Sequence, residues 1–150
     1  MRGPNVFKGY WKMPEKTAEE VRDSGFFITG DLGSYDEQGY LSIVGRSKDL
    51  IISGGYNIYP KELELLIDEI DGVNESAVIG LPDSDFGEKV AAVIVKQAGS
   101  NIDNQDVLDY IQPKLARFKQ PKNIFFVDEL PRNTMGKVQK NSLRDMYQDS

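Results

Sequence analysis

A glycine pair between two short apolar runs is the feature that most constrains how this chain folds. Residues 50–52 and 56–59 are mainly apolar and flank Gly54 and Gly55, and a tight hairpin turn needs residues that accept positive φ at its centre. Pro60 follows the second run, and proline suits the first turn of a helix, where the N–H that it lacks has no intrahelical partner. The segment therefore predicts a β-hairpin that leads directly into an α-helix.

Apolar periodicity downstream of this hairpin predicts alternating helices and strands. Leu63, Leu66 and Ile67 recur at helical spacing and predict an amphipathic helix over about residues 60–71. The pattern then predicts strands over residues 76–81, 90–95 and 124–127 and helices over residues 104–117 and 140–147. Pro113 should kink or split the first of these two helices. This alternation predicts an α+β fold in which a small sheet carries its helices on one side.

The first third of the chain contains few apolar residues for a core of its own. Strands are predicted over residues 26–30 and 40–44, and residues 36–39 have the composition of a turn between them. From Asp49 onward, by contrast, the pattern contains enough elements to fold by itself. We therefore expect the first part of the chain to be the hairpin-rich end of a larger domain.

Composition excludes several kinds of chemistry. The 150 residues contain no cysteine and no histidine, which rules out Ser-His-Asp and Cys-His machinery and leaves lysine, arginine, carboxylates, tyrosine, backbone groups or a bound metal. A net charge of −6 argues against a nucleic-acid partner. No apolar run approaches the roughly 18 residues of a membrane span, and the chain does not start with the apolar core of a signal peptide. We expect a cytoplasmic protein with neither a nucleic-acid nor a membrane partner.

Three motifs, in their order along the chain, resemble the adenylate-forming superfamily of acyl-CoA synthetases, luciferases and adenylation domains of peptide synthetases. They are Thr29-Gly30-Asp31, the segment 45–64, and Pro131-Arg132-Asn133-Thr134-Met135-Gly136-Lys137. The resemblance covers essentially the whole chain, and residues 9–17 and 133–141 look most like malonyl-CoA synthetases. It implies that residues 1–47 end a large AMP-binding N-terminal domain and that residues 48–150 form an AMP-binding enzyme C-terminal domain.

The resemblance implies an ATP-dependent acid–CoA ligase. A small carboxylic acid, with malonate favoured, would attack the α-phosphate of MgATP to give an acyl-adenylate and pyrophosphate, and the thiol of coenzyme A would then displace AMP. Because two anions meet at phosphorus, catalysis depends on where cations are placed. The chain has no Gly-rich phosphate loop of its own, so we expect the isolated polypeptide to lack synthetase activity.

The resemblance also assigns roles to four residues. Lys137 matches the lysine that bridges the substrate carboxylate and the α-phosphate during adenylation, and an exposed loop lysine is the competing interpretation. Asp31 would accept hydrogen bonds from the ribose hydroxyls, and Arg46 would bind the ribose or a phosphate oxygen; the alternatives are a turn-capping aspartate and a structural salt bridge. Lys48 lies where the family places a hinge, although a solvated lysine fits as well.

A coenzyme A site is implied by the glycine turn and by a basic cluster. Gly54 and Gly55 would let the backbone approach the pantetheine arm closely, whereas Arg117, Lys119 and Lys122 would contact phosphates. A plain hairpin turn and a solvated helix end, favoured by the helix dipole, are the respective alternatives. No residue of the chain is assigned as a metal ligand.

Two other functions stay open at this point. The chain could be a stand-alone interaction module with the same fold, whose exposed faces associate with themselves. It could also belong to an adenylation enzyme that transfers its acyl group to the thiol of a carrier protein instead of coenzyme A.

Overall fold

The computed structural model describes all 150 residues, which divide into two compact units, residues 1–47 and 48–150. The first unit contains a helix, α1 (Pro14–Glu20), and an antiparallel pair of strands, β1 (Asp31–Tyr35) and β2 (Leu41–Arg46). None of its residues is fully buried. The first unit therefore has secondary structure but no core of its own.

The strand predicted over residues 26–30 is wrong, because regular pairing begins only at Asp31. Phe27 makes one isolated bridge with Val21, and Gly30 has a φ of 71°, which lies outside the β region. Gly30 thus turns the chain just before β1. The strand predicted over residues 40–44 corresponds to β2.

The second unit contains the remaining elements. Its strands are β3 (Ile51–Ser53), β4 (Tyr56–Ile58), β5 (Val73–Asp83), β6 (Gly87–Lys96) and β7 (Asn123–Val127), and its helices are α2 (Pro60–Asp68), α3 (Asn104–Ile111) and α4 (Lys140–Tyr147). Single 3-10 turns occupy Ser47–Asp49 and Arg117–Lys119. Pro60 begins α2 as predicted, and α3 ends two residues before Pro113 instead of continuing to residue 117.

The central strand of the five-stranded sheet is β6, and the edge strand β5 pairs with it in antiparallel fashion along its whole length. The other edge of β6 is shared, because β7 pairs with it in parallel along residues 91–95 whereas β3 meets it only where Ser53 faces Gly87. The hairpin β3–β4 is thus attached to the sheet at one end. The Glu88 carboxylate supplements this attachment by accepting a hydrogen bond of 2.7 Å from the Ile52 N–H.

Both faces of the sheet are buried. One face packs Val78, Ala92 and Ile94 against α2 and α3, and the opposite face packs Ile79, Val93 and their neighbours against Leu130 and against Leu143 of α4. The predicted α+β class is confirmed, but the prediction that all helices lie on one side is wrong for α4. None of the helices has the length and hydrophobicity that a membrane crossing requires.

Candidate functional site

Lys137 lies in a closed turn between β7 and α4. The turn is held by hydrogen bonds from the Asn133 N–H to the Lys137 carbonyl (2.9 Å) and from the Gly136 N–H to the Asn133 carbonyl (2.9 Å). The side-chain oxygen of Asn133 also accepts from the N–H groups of Met135 and Lys137, each at 3.0 Å. Gly136 has a φ of 76°, which favours glycine. Backbone and side-chain hydrogen bonds therefore brace the turn that carries Lys137.

Two contacts attach this turn to the rest of the second unit. At its base, Leu130 is buried and Val138 packs against the same apolar cluster on the sheet. Near its tip, the Arg132 guanidinium donates to the Gly136 carbonyl (2.7 Å) and forms an ion pair with Glu75 of β5. The backbone that carries Lys137 is thus anchored by apolar packing on one side and by an arginine on the other.

The side chain of Lys137 lines a polar cavity of about 220 Å³. Lys48 lies on the same cavity, so the structure brings together two residues that the sequence singled out separately. Neither ammonium group has a carboxylate within ion-pair distance, whereas two neighbouring cations are neutralised: Lys140 by Glu64 (2.6 Å) and Arg144 by Asp49 (3.4 Å). The cavity therefore presents uncompensated positive charge and is suited to an anion.

Asp31 and Arg46 lie opposite each other on β1 and β2 of the first unit. The Arg46 Nε lies 3.1 Å from a carboxylate oxygen of Asp31, and another guanidinium nitrogen donates to the Thr29 carbonyl at 2.9 Å. The salt bridge that was the competing interpretation for Arg46 is present. Because the Asp31 side chain keeps 32% of its surface exposed, its other oxygen lone pairs can still accept hydrogen bonds.

A second and larger cavity of about 600 Å³ lies beside the turn of the hairpin β3–β4. Gly54 and Arg117, both predicted for coenzyme A, line it together. Tyr56 and Phe118 stack with their ring centroids 4.5 Å apart and contribute apolar surface. The cavity therefore combines aromatic walls with a guanidinium group, which has no carboxylate within ion-pair distance.

Two other residues predicted for coenzyme A, Gly55 and Lys119, do not line this cavity. Both carboxylate oxygens of Glu62 accept from the Lys119 ammonium, at 2.7 and 2.8 Å. Lys119 therefore ties the 3-10 turn to the start of α2. Gly55 has a φ of 80° and open space around it.

Lys122, the third basic residue predicted to contact the phosphates of coenzyme A, also lines this cavity. Its ammonium donates to Asp83 at 3.1 Å and lies 4.2 Å from the centroid of the Phe86 ring. This hydrogen bond holds the pKa of the Asp83 carboxyl below its ordinary value, and the N–H groups of Phe86 and Asp85 act in the same direction, whereas partial burial opposes them. Lys122 thus braces the β5–β6 turn that positions Phe86 at the cavity wall.

Sequence reasoning missed Arg132 and Glu64 as supports of the Lys137 region. Arg132 stands inside a motif that was recognised for its lysine, and Glu64 stands on the buried face of a helix, where a carboxylate signals a specific partner. The sequence showed both residues, but it did not show that Arg132 pairs with Glu75 or that Glu64 pairs with Lys140. No group of three or more acidic, histidine or cysteine side chains is arranged to hold a metal ion.

Comparison with known proteins places the chain in a family. Residues 62–137 match the AMP-binding enzyme C-terminal domain. Feruloyl-CoA synthase of an Amycolatopsis species is 48% identical over 145 residues, which are 97% of this chain and 29% of that protein. The long-chain-fatty-acid–CoA ligase FadD13 of Mycobacterium tuberculosis is 46% identical over 142 residues, which are 95% of this chain and 28% of that protein.

A solved structure agrees with the sequence relatives. The crystal structure of ATP-bound MatB from Rhodopseudomonas palustris superimposes with a TM-score of 0.90 at 63% identity, over 99% of this chain and 29% of that one. The chain thus spans less than a third of the length of these relatives. Since the family match covers more than half of the 150 residues, the chain belongs to the AMP-binding enzyme C-terminal domain family.

Proposed function

We propose that this chain is the carboxy-terminal portion of an ATP-dependent acid–CoA ligase and that it supplies the lysine of the adenylation step. The observation that carries the proposal is Lys137, an ammonium without a carboxylate partner, held on a braced turn at a polar cavity. The same lysine lies within the motif that resembles the adenylating lysine of the superfamily. The matched relatives, named as CoA ligases and a CoA synthase, support this activity.

In the first half-reaction, a carboxylate oxygen of the acid attacks the α-phosphorus of ATP, and the bond from that phosphorus to pyrophosphate breaks. Negative charge gathers on the oxygens around phosphorus as the two anions approach. A compact ammonium group beside those oxygens stabilises this arrangement more than it stabilises the separated reactants. Lys137 fits that role because its charge is not already neutralised within the chain. Mg²⁺ would accompany the ATP phosphates, and ATP use is supported by the ATP-bound state of the MatB structure.

The ribose of the nucleotide is assigned to Asp31. Because Arg46 already forms an ion pair with one oxygen of this carboxylate, the arginine would orient Asp31 toward the two ribose hydroxyls. Arg46 retains donors that could reach a ribose or phosphate oxygen. This assignment combines both interpretations of Arg46, as a salt-bridge partner and as a nucleotide contact.

Lys48 is proposed as the hinge between the two half-reactions. It is the first residue of the second unit and lies in a single 3-10 turn. Short turns between compact units absorb backbone rotation over one or two residues. The position of Lys48 in the chain supports a hinge, and its place on the Lys137 cavity adds a cation there.

In the second half-reaction, the thiol of coenzyme A attacks the acyl carbon and AMP leaves. The cavity beside Gly54 is the proposed site for part of coenzyme A, because its aromatic walls suit an apolar segment and Arg117 suits a phosphate. Gly55 is proposed to let the hairpin turn approach the pantetheine arm. Lys119 would reach a phosphate only if it left Glu62.

The first unit is proposed as the end of a large AMP-binding N-terminal domain. It has no buried residue, and its largest side chains are strongly exposed: Trp11 at 86%, Tyr35 at 74% and Tyr40 at 72%. Apolar surface of this kind is normally covered in a folded domain. The relatives, which are more than three times as long, support such a domain. We expect the 150-residue chain alone to be inactive.

Malonate is the proposed acid, on the likeness of residues 9–17 and 133–141 to malonyl-CoA synthetases. The names of these relatives refer to acids as different as ferulate and long-chain fatty acids, so the malonate assignment rests on that likeness and is tested with a panel of acids. The cytoplasm, where ATP and coenzyme A are both available, is the proposed location.

The test is a half-reaction assay on the full-length enzyme. Lys137→Ala should reduce adenylation, measured as acid-dependent pyrophosphate release, by about 10²-fold or more, while thioester formation from supplied acyl-adenylate stays within about twofold. Lys61→Ala is the matched control, because Lys61 is an exposed lysine of α2 in the same unit. Equal losses in both half-reactions, or none, would contradict the proposed role, and a panel of acids that includes malonate would test the substrate.

A further inference from the structure

The turn that carries Lys137 depends on one side chain for the attachment of its tip. Hydrogen bonds within the turn and across its base define its shape, but they run only between residues 131 and 139 of the loop itself. The apolar anchors, Leu130 and Val138, flank the turn at its base. Only Arg132 joins the tip to the sheet, since its guanidinium contacts both the Gly136 carbonyl and Glu75.

We propose that Arg132, held by Glu75, is a positioning residue that fixes the Lys137 ammonium for adenylation. This inference rests on the proposed function. The guanidinium is planar and presents several N–H donors in fixed directions. One nitrogen donates to the carbonyl directly before Lys137, and another pairs with a carboxylate on β5. Arg132 therefore restrains the peptide group between Gly136 and Lys137 relative to β5.

Glu75 is well placed for this task. It belongs to β5, the longest strand of the sheet, and lies where the pairing with β6 shifts register between Val73 and Glu75. Side chains at such irregularities are re-aimed relative to their neighbours. A strand residue thus restrains a turn that lies 57 residues further along the chain.

The planar arrangement of the N–H donors of Arg132 distinguishes its proposed role from that of a simple positive charge. Lysine at position 132 would keep the charge, but a single ammonium group does not hold a fixed fork between two acceptors. Arg132→Lys should therefore be impaired almost as much as Arg132→Gln. A displacement of about 1 Å at a reacting group can lower a rate by about 10²-fold, so we expect adenylation to fall between about tenfold and a hundredfold in both variants.

The experiment compares Arg132→Lys, Arg132→Gln, Glu75→Gln and the double variant Arg132→Gln/Glu75→Gln in the full-length enzyme. Each single variant should lower kcat for adenylation at an unchanged KM for ATP, and each should leave thioester formation from supplied acyl-adenylate within about twofold. The double variant should lose no more than Arg132→Gln, because both residues act through one contact. Lys114→Gln is the matched control, since Lys114 forms a peripheral pair with Glu69.

A second readout needs no catalysis. Amide hydrogen exchange at Gly136 and Lys137, measured on the same proteins, should accelerate in the Arg132 variants and stay unchanged in Lys114→Gln. Unchanged amide exchange in the Arg132 variants would overturn the positioning role. So would full adenylation activity in Arg132→Lys, or faster exchange accompanied by normal adenylation. Lys137→Ala, run in parallel, separates the two ideas: if it adenylates normally, the proposed function fails whatever the arginine does.

Discussion

The ion pair between Glu64 and Lys140 allows a quantitative prediction about the second unit. Glu64 of α2 is only 8% exposed, and one of its carboxylate oxygens lies 2.6 Å from the Lys140 ammonium and accepts a hydrogen bond of 3.0 Å from the Val78 N–H. Lys140 begins α4, just after the Lys137 turn. The pair therefore joins helices on opposite faces of the sheet to the strand between them.

Lys140→Met removes the ammonium but retains an apolar stem of similar length. The Glu64 carboxylate would remain buried with one backbone donor, and breaking a buried pair in this way costs roughly 3–5 kcal/mol. Because the two side chains keep 10% and 17% of their surface exposed, water reaches the pair and we expect the lower limit, about 3 kcal/mol. For a unit of this size that loss lowers Tm by roughly 14 °C.

The double variant Glu64→Gln/Lys140→Met separates charge from packing. Glutamine offers a carbonyl oxygen to the Val78 N–H at the same position, and no charge remains to be desolvated. Its free energy of unfolding should therefore return to within about 1 kcal/mol of the wild-type value. The free energy of unfolding of Glu64→Gln alone should lie between those of Lys140→Met and the double variant, since the Lys140 ammonium can move outward into water.

The assay is native-state hydrogen exchange of β5 and β6 amides in urea, which reports on the second unit alone. A Lys140→Met loss below about 1 kcal/mol would mean that solvent already screens the pair. A double variant as unstable as Lys140→Met would show that packing of the lysine stem, and not an unpaired carboxylate, causes the loss. Either result would refute the reasoning.

Two further predictions concern the cavity beside the hairpin. Gly54→Ala should raise the KM for coenzyme A in the full-length enzyme more than Gly55→Ala does. Both positions have positive φ (56° and 80°), but only at Gly54 would a Cβ lie 2.9 Å from the Phe86 ring. Equal increases in KM would mean that backbone strain of about 1–2 kcal/mol explains both effects. Asp83→Asn should flatten the acid limb of stability: the lowered pKa of Asp83 stabilises the fold above the unfolded value of about 3.9, and this contribution is lost as pH falls through the folded pKa. Urea unfolding between about pH 5 and pH 2 measures the difference, and an acid limb as steep as that of the wild type would contradict it.

The local features of the fold could be predicted from the sequence because they depend on backbone restrictions. Gly54 and Gly55 set the hairpin turn, Pro60 starts α2, and Pro113 keeps α3 from extending to residue 117. These residues constrain φ or remove a donor wherever they stand in a chain. The strand over residues 26–30 was wrongly predicted because the apolar residues 26–28 were given more weight than the backbone freedom of Gly30.

The side of the sheet on which α4 lies was decided by tertiary structure, although the sequence held a sign of it. Residues 90–95 form a continuous apolar run with no polar alternation, which is typical of a strand covered on both faces. That pattern indicates that something covers the second face, but not which element does. Only the packed structure shows that Leu143 of α4 and Leu130 fill that place.

The order of the motifs and the presence of a lysine directly after Gly136 were determined by the sequence alone. The state of each charged side chain was decided only by the fold, because its partner lies far away along the chain. Glu62 neutralises Lys119, and Glu75 holds Arg132, each across 57 residues. Ion pairs depend on separations of a few ångströms in space, which residue spacing along a chain does not encode.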